Sequence, residues 1–136
     1  MLVKSRPVDF KKDLPDLQSW WTTQDWPKMG PNMLGDHGYI AEDLTGAKLA
    51  AAWLLPIDTT ELALVEWIVG NPKVPHEIKG IGIQSVIDAC VDKAAKLGKK
   101  SLITMVKNER LINRLKSNCN FKETESGMTH LVRGVK

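Results

Sequence analysis

The chain has 136 residues and a formal net charge of +3, with 43% hydrophobic and 26% charged residues. This length suits one domain with its own core, and no apolar run approaches the roughly 20 residues that a membrane span needs, which excludes a membrane-spanning protein. Because the N-terminus lacks the apolar segment of a secretory signal and the cysteines, Cys90 and Cys119, lack metal-type spacing, we expect a single cytoplasmic domain over residues 1–136 without a metal.

Hydrophobic patterns divide the first half of the chain into a helix and several strands. An apolar stripe within residues 8–21 predicts a helix, in which Pro15 marks a start or a kink. The turn-like residues 43–46 predict a β-hairpin, which a third strand extends into a meander. The predicted elements are a strand at 2–6, a helix at 8–21, a long loop at 22–38, and strands at 38–42, 48–55 and 61–69.

The second half predicts two helices, a strand and a closing hairpin. Apolar residues recur at helical spacing from 83 to 97, and Gly98 is placed to end that helix. The remaining predicted elements are a strand at 101–106, a helix at 109–117, and hairpin strands at 121–126 and 128–135.

Basic residues crowd this second half. A run of charges is most often a solvated surface, but a second interpretation is a collar for a phosphorylated ligand. The aromatic residues are not interleaved with the basic ones, which argues against a nucleic-acid partner. The basic residues concerned are Lys73, Lys79, Lys93, Lys96, Lys99, Lys100, Lys107, Arg110, Arg114 and Lys116.

A glycine-bearing segment, Glu77-Ile78-Lys79-Gly80-Ile81-Gly82, joins the predicted strand at 61–69 to the helix at 83–97. Glycines at such a junction let backbone N–H groups approach an anion at a helix N-terminus. A further strand and helix follow, with Asn108 between them. This order of elements and these motifs resemble the Gcn5-related N-acetyltransferase (GNAT) superfamily, most specifically over residues 61–121.

The resemblance implies an α/β (α+β) protein of GNAT-like fold, in which a mixed, mostly antiparallel central sheet is flanked by helices and splayed near Val69. It implies an N-acyltransferase that passes an acetyl group directly from acetyl-CoA to an amine. Backbone groups at 67–69 would pair with the pantetheine arm, amides at 79–83 would hold the pyrophosphate, and Asn108 would position the arm. The implied cofactor-binding residues are Trp67, Ile68, Val69, Ile78, Lys79, Gly80, Ile81, Gly82, Ile83 and Asn108.

Three positions depart from the GNAT pattern. Glu77 replaces the Gln or Arg that opens the phosphate loop, so we expect it to point outward and Lys79 to supply positive charge. Ala63 stands where the family often has a glutamate base, and Leu115 where many members have a tyrosine acid. These departures favour an alternative, a catalytically degenerate GNAT-fold binding or structural protein such as a bacteriophage component.

The strand pattern offers a replacement base. Glu66 is predicted to share a face with Ile68, where burial would raise its pKa toward the range of a general base. Ser117 or Cys119 is the candidate for a group that lies near the sulfur of coenzyme A. The candidate acceptor-binding residues are Trp26, in the long loop, and Tyr39.

The implied partners are an acyl-CoA and an amine acceptor, either a small molecule or a protein. Exposed strand edges would also permit a homodimer. We predict from the phosphate loop that Gly82→Glu abolishes coenzyme A binding while leaving the fold intact.

Overall fold

The computed structural model describes residues 2–129, 131 and 133–135. Within these residues, two layers of helices cover the faces of one sheet. In chain order the elements are β1 (Val3–Pro7), α1 (Phe10–Thr23), α2 (Pro31–Leu34), β2 (Gly38–Asp43), β3 (Lys48–Pro56), β4 (Leu62–Gly70), α3 (His76–Lys96), β5 (Ser101–Ile103) and α4 (Glu109–Asn118).

The sheet has the strand order β1-β2-β3-β4-β5, with antiparallel pairing everywhere except between β4 and β5, which are parallel. Short turns join β2 to β3 and β3 to β4, whereas α1 and α2 lie between β1 and β2. In the β2–β3 turn, the Asp43 carboxylate accepts hydrogen bonds from the backbone N–H groups of Thr45 and Ala47. A parallel pair needs a long crossover, which α3 supplies. The predicted mixed, mostly antiparallel sheet flanked by helices is therefore confirmed.

Alternate residues of the central strands contribute to two separate hydrophobic cores, one on each face of the sheet. Ala50 and Ala52 of β3 pack toward α3, whereas Ala51 and Trp53 pack with α1 and the loop after it. The face toward α3 is lined by small side chains, which lets the helix lie close to the sheet. Gly82 marks the closest approach, because a Cβ placed there would come 2.7 Å from the Cβ of Leu49.

A buried ion network ties the N-terminal strand and helix to the sheet. Asp13 of α1 is fully buried and accepts two hydrogen bonds from the Arg6 guanidinium, at 2.8 and 2.9 Å, and one from the Asp9 backbone N–H. The Lys48 ammonium lies 3.0 Å from the same carboxylate. Burial by itself would raise the pKa of Asp13, but these hydrogen bonds hold the pKa well below its ordinary value.

Two predicted boundaries and one predicted strand are wrong. Helix α3 begins at His76, seven residues before the predicted start, and β5 ends at Ile103 rather than at 106. Residues 121–126 form no strand, because none of them pairs with the sheet. The second predicted hairpin strand, 128–135, includes residues 130 and 132, which lie outside the described residues.

Within the described part of the chain, no helix is both long enough and apolar enough to cross a membrane.

Candidate functional site

The sheet opens between β4 and β5. The two strands pair only where Leu62 to Leu64 face Ser101 to Ile103. Just beyond, the Thr104 hydroxyl donates to the Val65 carbonyl at 2.6 Å, and β5 has already ended. Strand β4 runs on to Gly70, so its edge from 66 to 70 faces a gap that no strand of the described chain fills. We call this opening the β4–β5 gap.

A β-bulge lies at the start of this open edge. The register passes from Trp53 opposite Glu66 to Ala51 opposite Val69, which leaves Trp67 and Ile68 together opposite Ala52. Trp67 has a φ of 56°, an uncommon left-handed conformation for a residue other than glycine. A bulge bends its strand and locally disrupts pairing, and strained backbone of this kind concentrates at functional sites.

The bulge corrects the predicted face of Glu66. Without a bulge, Glu66 and Ile68 would point to the same side of β4. In the structure, Ile68 joins the core beneath α3, whereas Glu66 lies opposite Trp53 on the face that carries α1. The extra residue at position 67 shifts the alternation by one place. The Glu66 side chain is half-buried on the α1 face.

Past the bulge, the N–H and C=O groups of successive β4 residues point alternately toward β3 and toward the gap. The Asn71 N–H donates to the Leu49 carbonyl at 2.8 Å, so Asn71 points toward β3. By alternation, Val69 also directs its N–H and C=O groups to β3, and those of Gly70 face the gap. The N–H and C=O groups of Gly70, which was not among the predicted residues, are therefore available in the gap. Those of Val69, which was predicted to pair with a ligand there, are not.

The N-terminus of α3 lies beside this end of β4, and its free donors differ from those predicted. The Lys79 N–H donates to the Pro75 carbonyl at 2.9 Å, and the following amides are used within the helix. The N-cap residue, Pro75, provides no side-chain cap. The donors left open are the first three amides, at 76–78, one turn earlier than the predicted set at 79–83.

The two glycines of the predicted phosphate loop have different neighbours. Gly82 is buried against β3, and a Cβ there would press on Leu49 at 2.7 Å and on Ala50 at 3.3 Å. These contacts argue against the prediction that Gly82→Glu leaves the fold intact, which stays untested. A Cβ on Gly80 would instead overlap the guanidinium of Arg114, the far end of a flexible side chain from α4.

Positive charges gather at the same helix end. We call Lys79, Arg110 and Arg114, together with the neighbouring His76, the cation cluster. The pKa of His76 is held below its ordinary value, chiefly by the charge of Arg110, with further contributions from desolvation, Lys79 and Arg114. The ion pairs among the described residues involve none of these four side chains.

The side chains of Glu77 and Lys79, both in the first turn of α3, lie in different places. Glu77, the residue expected to point outward, is exposed in the first turn of α3. The aliphatic part of the Lys79 side chain lies against Gly70, where a Cβ would overlap it, so the lysine crosses from α3 to the end of β4. The cation cluster therefore adjoins the last residue of the β4–β5 gap.

Three predicted residues lie on or next to α4. The side-chain oxygen of Asn108 caps this helix by accepting from the Leu111 N–H at 3.0 Å. Ser117 is exposed in the last turn, two residues after the buried Leu115. Cys119 is half-buried, and burial and the charge of Asp88 raise its thiol pKa, which keeps the sulfur protonated.

The predicted acceptor residues are not brought together. Trp26 packs edge-to-face on Trp67 with ring centroids 5.8 Å apart, on the face of the sheet that carries α1. Tyr39 lies opposite Ala52 and packs into the core beneath α3, on the other face. Trp26 and Glu66 thus share a face, and Tyr39 does not.

Sequence reasoning missed the specific place of Arg114. It counted only as one of ten basic residues, although Arg110 and Arg114 are four apart and so share a face of a helix. That spacing was the available signal. No signal marked the bulge, since Trp67 is not a residue that favours a positive φ.

Comparison of the sequence with protein-family profiles and with curated proteins finds no match. Solved structures do match. A point mutant of TTHA1254 from Thermus thermophilus superposes with a TM-score of 0.73 at 18% identity, over 98% of this chain and 99% of that one. An acetyltransferase of Trypanosoma brucei gives a TM-score of 0.64 at 16% identity, over 96% of this chain and 100% of that one.

A further match carries ligands. N-acetylglutamate synthase from Neisseria gonorrhoeae, complexed with coenzyme A and N-acetyl-glutamate, gives a TM-score of 0.65 at 17% identity, over 84% of this chain and 28% of that one. At such identities these likenesses establish a shared fold. Among the described residues, no group of three or more His, Cys, Asp or Glu side chains is arranged to hold a metal ion.

Proposed function

We propose that this chain, which has the GNAT fold of those acetyltransferases, is an acyl-CoA-dependent N-acyltransferase acting on an amine. One observation carries the proposal: the open edge of β4 leads from the bulge at Trp67 to the N-terminus of α3 and its cation cluster. An arm of amide groups suits such an edge, and a diphosphate suits such a helix end. Acyl-CoA carries both groups, joined to each other.

The β4–β5 gap accommodates the pantetheine arm as an added strand. The arm contains two amides, which can exchange hydrogen bonds with backbone groups of β4 that β5 does not reach, among them those of Gly70. Because Lys79 lies against Gly70, the arm leaves the gap at the N-terminus of α3. The thioester end then lies beside the bulge at Trp67.

The diphosphate belongs at the start of α3. The amides at 76–78 point their N–H groups outward, and the helix dipole adds a partial positive charge. Lys79, Arg110 and Arg114 supply full positive charges there. Glu77 is exposed, so its carboxylate is free to stay in solvent, away from the diphosphate.

The transfer itself is a direct attack. The acceptor ammonium gives a proton to the Glu66 carboxylate, and the nitrogen lone pair then forms a bond to the thioester carbonyl carbon. The C–S bond breaks as the tetrahedral intermediate collapses, and the second proton of the nitrogen passes through water or the Ser117 hydroxyl to the thiolate of coenzyme A. A backbone N–H at the bulge stabilises the oxyanion. The acceptor approaches from the α1 face, where Trp26 and Glu66 lie.

Calorimetric titration with acetyl-CoA tests the cofactor half of the proposal, with desulfo-CoA as an unreactive control. We expect micromolar binding of both ligands. No binding at millimolar concentration would overturn the proposal.

An acceptor screen with Glu66→Gln tests the chemical half. We expect this variant to lose turnover while its Kd for acetyl-CoA stays within about twofold of the original. Binding without turnover on any amine would support the degenerate GNAT-fold binding protein that the departures at Glu77, Ala63 and Leu115 favour.

A further inference from the structure

The side chain of Arg114 reaches the N-terminal part of α3. Its guanidinium rests on Gly80, so close that a Cβ on the glycine would overlap three of its atoms. Gly80 lies in the second turn of α3, two residues after the last of the open amides at 76–78. The side chain thus reaches from α4 across to the N-terminal end of α3.

This position leaves the guanidinium available to a ligand. Arg114 is half-buried, and its five N–H donors are held in one plane. No carboxylate of the described chain forms an ion pair with it. Glu77, the acidic residue of α3 that is nearest to Gly80 in the sequence, is exposed to solvent. A planar fork of donors beside open helix amides matches the oxygens of a phosphate.

We propose that Arg114 binds the diphosphate of acyl-CoA in place of the Gln or Arg that Glu77 has replaced, and that Gly80 is needed chiefly to give its guanidinium that position. This inference rests on the proposed function. It assigns the two glycines different tasks: Gly80 is a platform for a ligand-binding side chain, and Gly82 permits helix–sheet packing.

The inference differs from the sequence-based expectation that Lys79 supplies the missing charge. The aliphatic part of Lys79 is laid across Gly70, so the lysine marks the boundary between the gap and the helix. Its single ammonium cannot make the paired hydrogen bonds that a guanidinium makes with phosphate. Arg114 should therefore contribute more to affinity than Lys79.

Titration of acetyl-CoA into Arg114→Gln, Arg114→Lys and Gly80→Ala tests the assignment. A hydrogen bond to a charged group is worth about 1.5–3 kcal/mol, and tenfold in Kd corresponds to about 1.4 kcal/mol. We expect Arg114→Gln to weaken binding about tenfold to hundredfold, and Arg114→Lys to recover part of the loss. Gly80→Ala should weaken binding although every charge is retained. The matched control is Lys116→Gln, which removes one exposed charge from the same helix and should leave Kd within about twofold.

Dephospho-CoA identifies the phosphate that is bound, since it keeps the diphosphate and lacks the 3′-phosphate. The same fold loss for both ligands in Arg114→Gln supports the diphosphate assignment. A loss that disappears with dephospho-CoA overturns it, as does a Kd for Arg114→Gln that equals that of Lys116→Gln. Failure of the unmodified chain to bind either ligand would instead overturn the proposed function. Thermal unfolding checks each variant's fold, and the Arg114 variants decide the matter if Gly80→Ala does not fold.

Discussion

Two groups of charged residues, at different places on the fold, are built in opposite ways. Around Asp13, one fully buried carboxylate is shared by Arg6 and Lys48, and Glu42 and Asp16 pair with the outer sides of these cations. Around the N-terminus of α3, Lys79, Arg110 and Arg114 stand together without an ion pair to any described residue. The first group pairs each of its cations with carboxylates, and the second concentrates one sign of charge.

The difference separates charges that stabilise the fold from charges that, under the proposed function, bind a ligand. Clustered like charges repel one another and lower the pKa of His76. They therefore do not stabilise the protein when no ligand is bound. A diphosphate would reverse that repulsion, whereas the Asp13 network has no unsatisfied charge to offer. Substitutions in the first group should therefore change stability, and substitutions in the second should change binding.

Asp13→Ala should have the largest effect on stability. It leaves two cations beside a buried site with no carboxylate, and breaking a buried pair costs about 3–5 kcal/mol. We expect a value near the lower end of that range, because Arg6 and Lys48 keep their outer partners. Urea unfolding measures the loss. The control is Asp16→Asn, whose side chain is 52% exposed in its pair with Lys48 and should cost less than about 1 kcal/mol. Equal losses in the two variants would contradict the distinction.

The glycine pair sharpens the same comparison within one helix. Gly82→Ala forces a methyl group against the Cβ of Leu49 at 2.7 Å, and overpacking of this kind costs about 1–3 kcal/mol. The three atoms nearest a Cβ at Gly80 belong to the end of the Arg114 side chain, which can move, so the free energy of unfolding of Gly80→Ala should change by less than about 1 kcal/mol. Urea unfolding of both variants checks this. A Gly80→Ala that is the less stable of the two would contradict the assigned roles.

Low pH should remove part of the stability that Asp13 provides. The pKa of Asp13 is lower in the folded chain than in the unfolded one, so the contribution is complete above the ordinary carboxyl pKa of about 3.9 and is lost as pH falls through the folded value. Asp13→Asn should be less stable at neutral pH, and the difference from the original chain should shrink below about pH 4. Unfolding free energies measured from about pH 7 down to about pH 3 test this, and a constant difference would contradict it.

The sequence predicted most of the sheet but not the details that shape the site. Strands β2, β3 and β4 follow from turn residues and alternating patterns, which are local signals. The bulge at Trp67 and the position of Arg114 on Gly80 depend on contacts between distant segments. Helix α3 starts early because the glycine-bearing segment 77–82 is itself helical. Pro75, which stands just before the first helical residue, was a boundary signal that the interpretation as a glycine loop overlooked. The predicted strand at 121–126 had turn and alternation signals but no pairing partner.

The smallest expected effect, a shift in one histidine pKa, reports on the cation cluster directly. The charge of Arg110 is the main reason that the pKa of His76 lies below its ordinary value, so Arg110→Gln should raise the His76 pKa toward that value. Binding of acetyl-CoA should also raise it, because the diphosphate offsets the same charges. NMR titration of the imidazole measures both shifts, with Lys116→Gln as the variant expected to show none. Arg110→Gln could raise the His76 pKa while acetyl-CoA binds without changing it. In that case the phosphates of the ligand lie elsewhere. The cation cluster would then not be a ligand-binding group that contrasts with the Asp13 network.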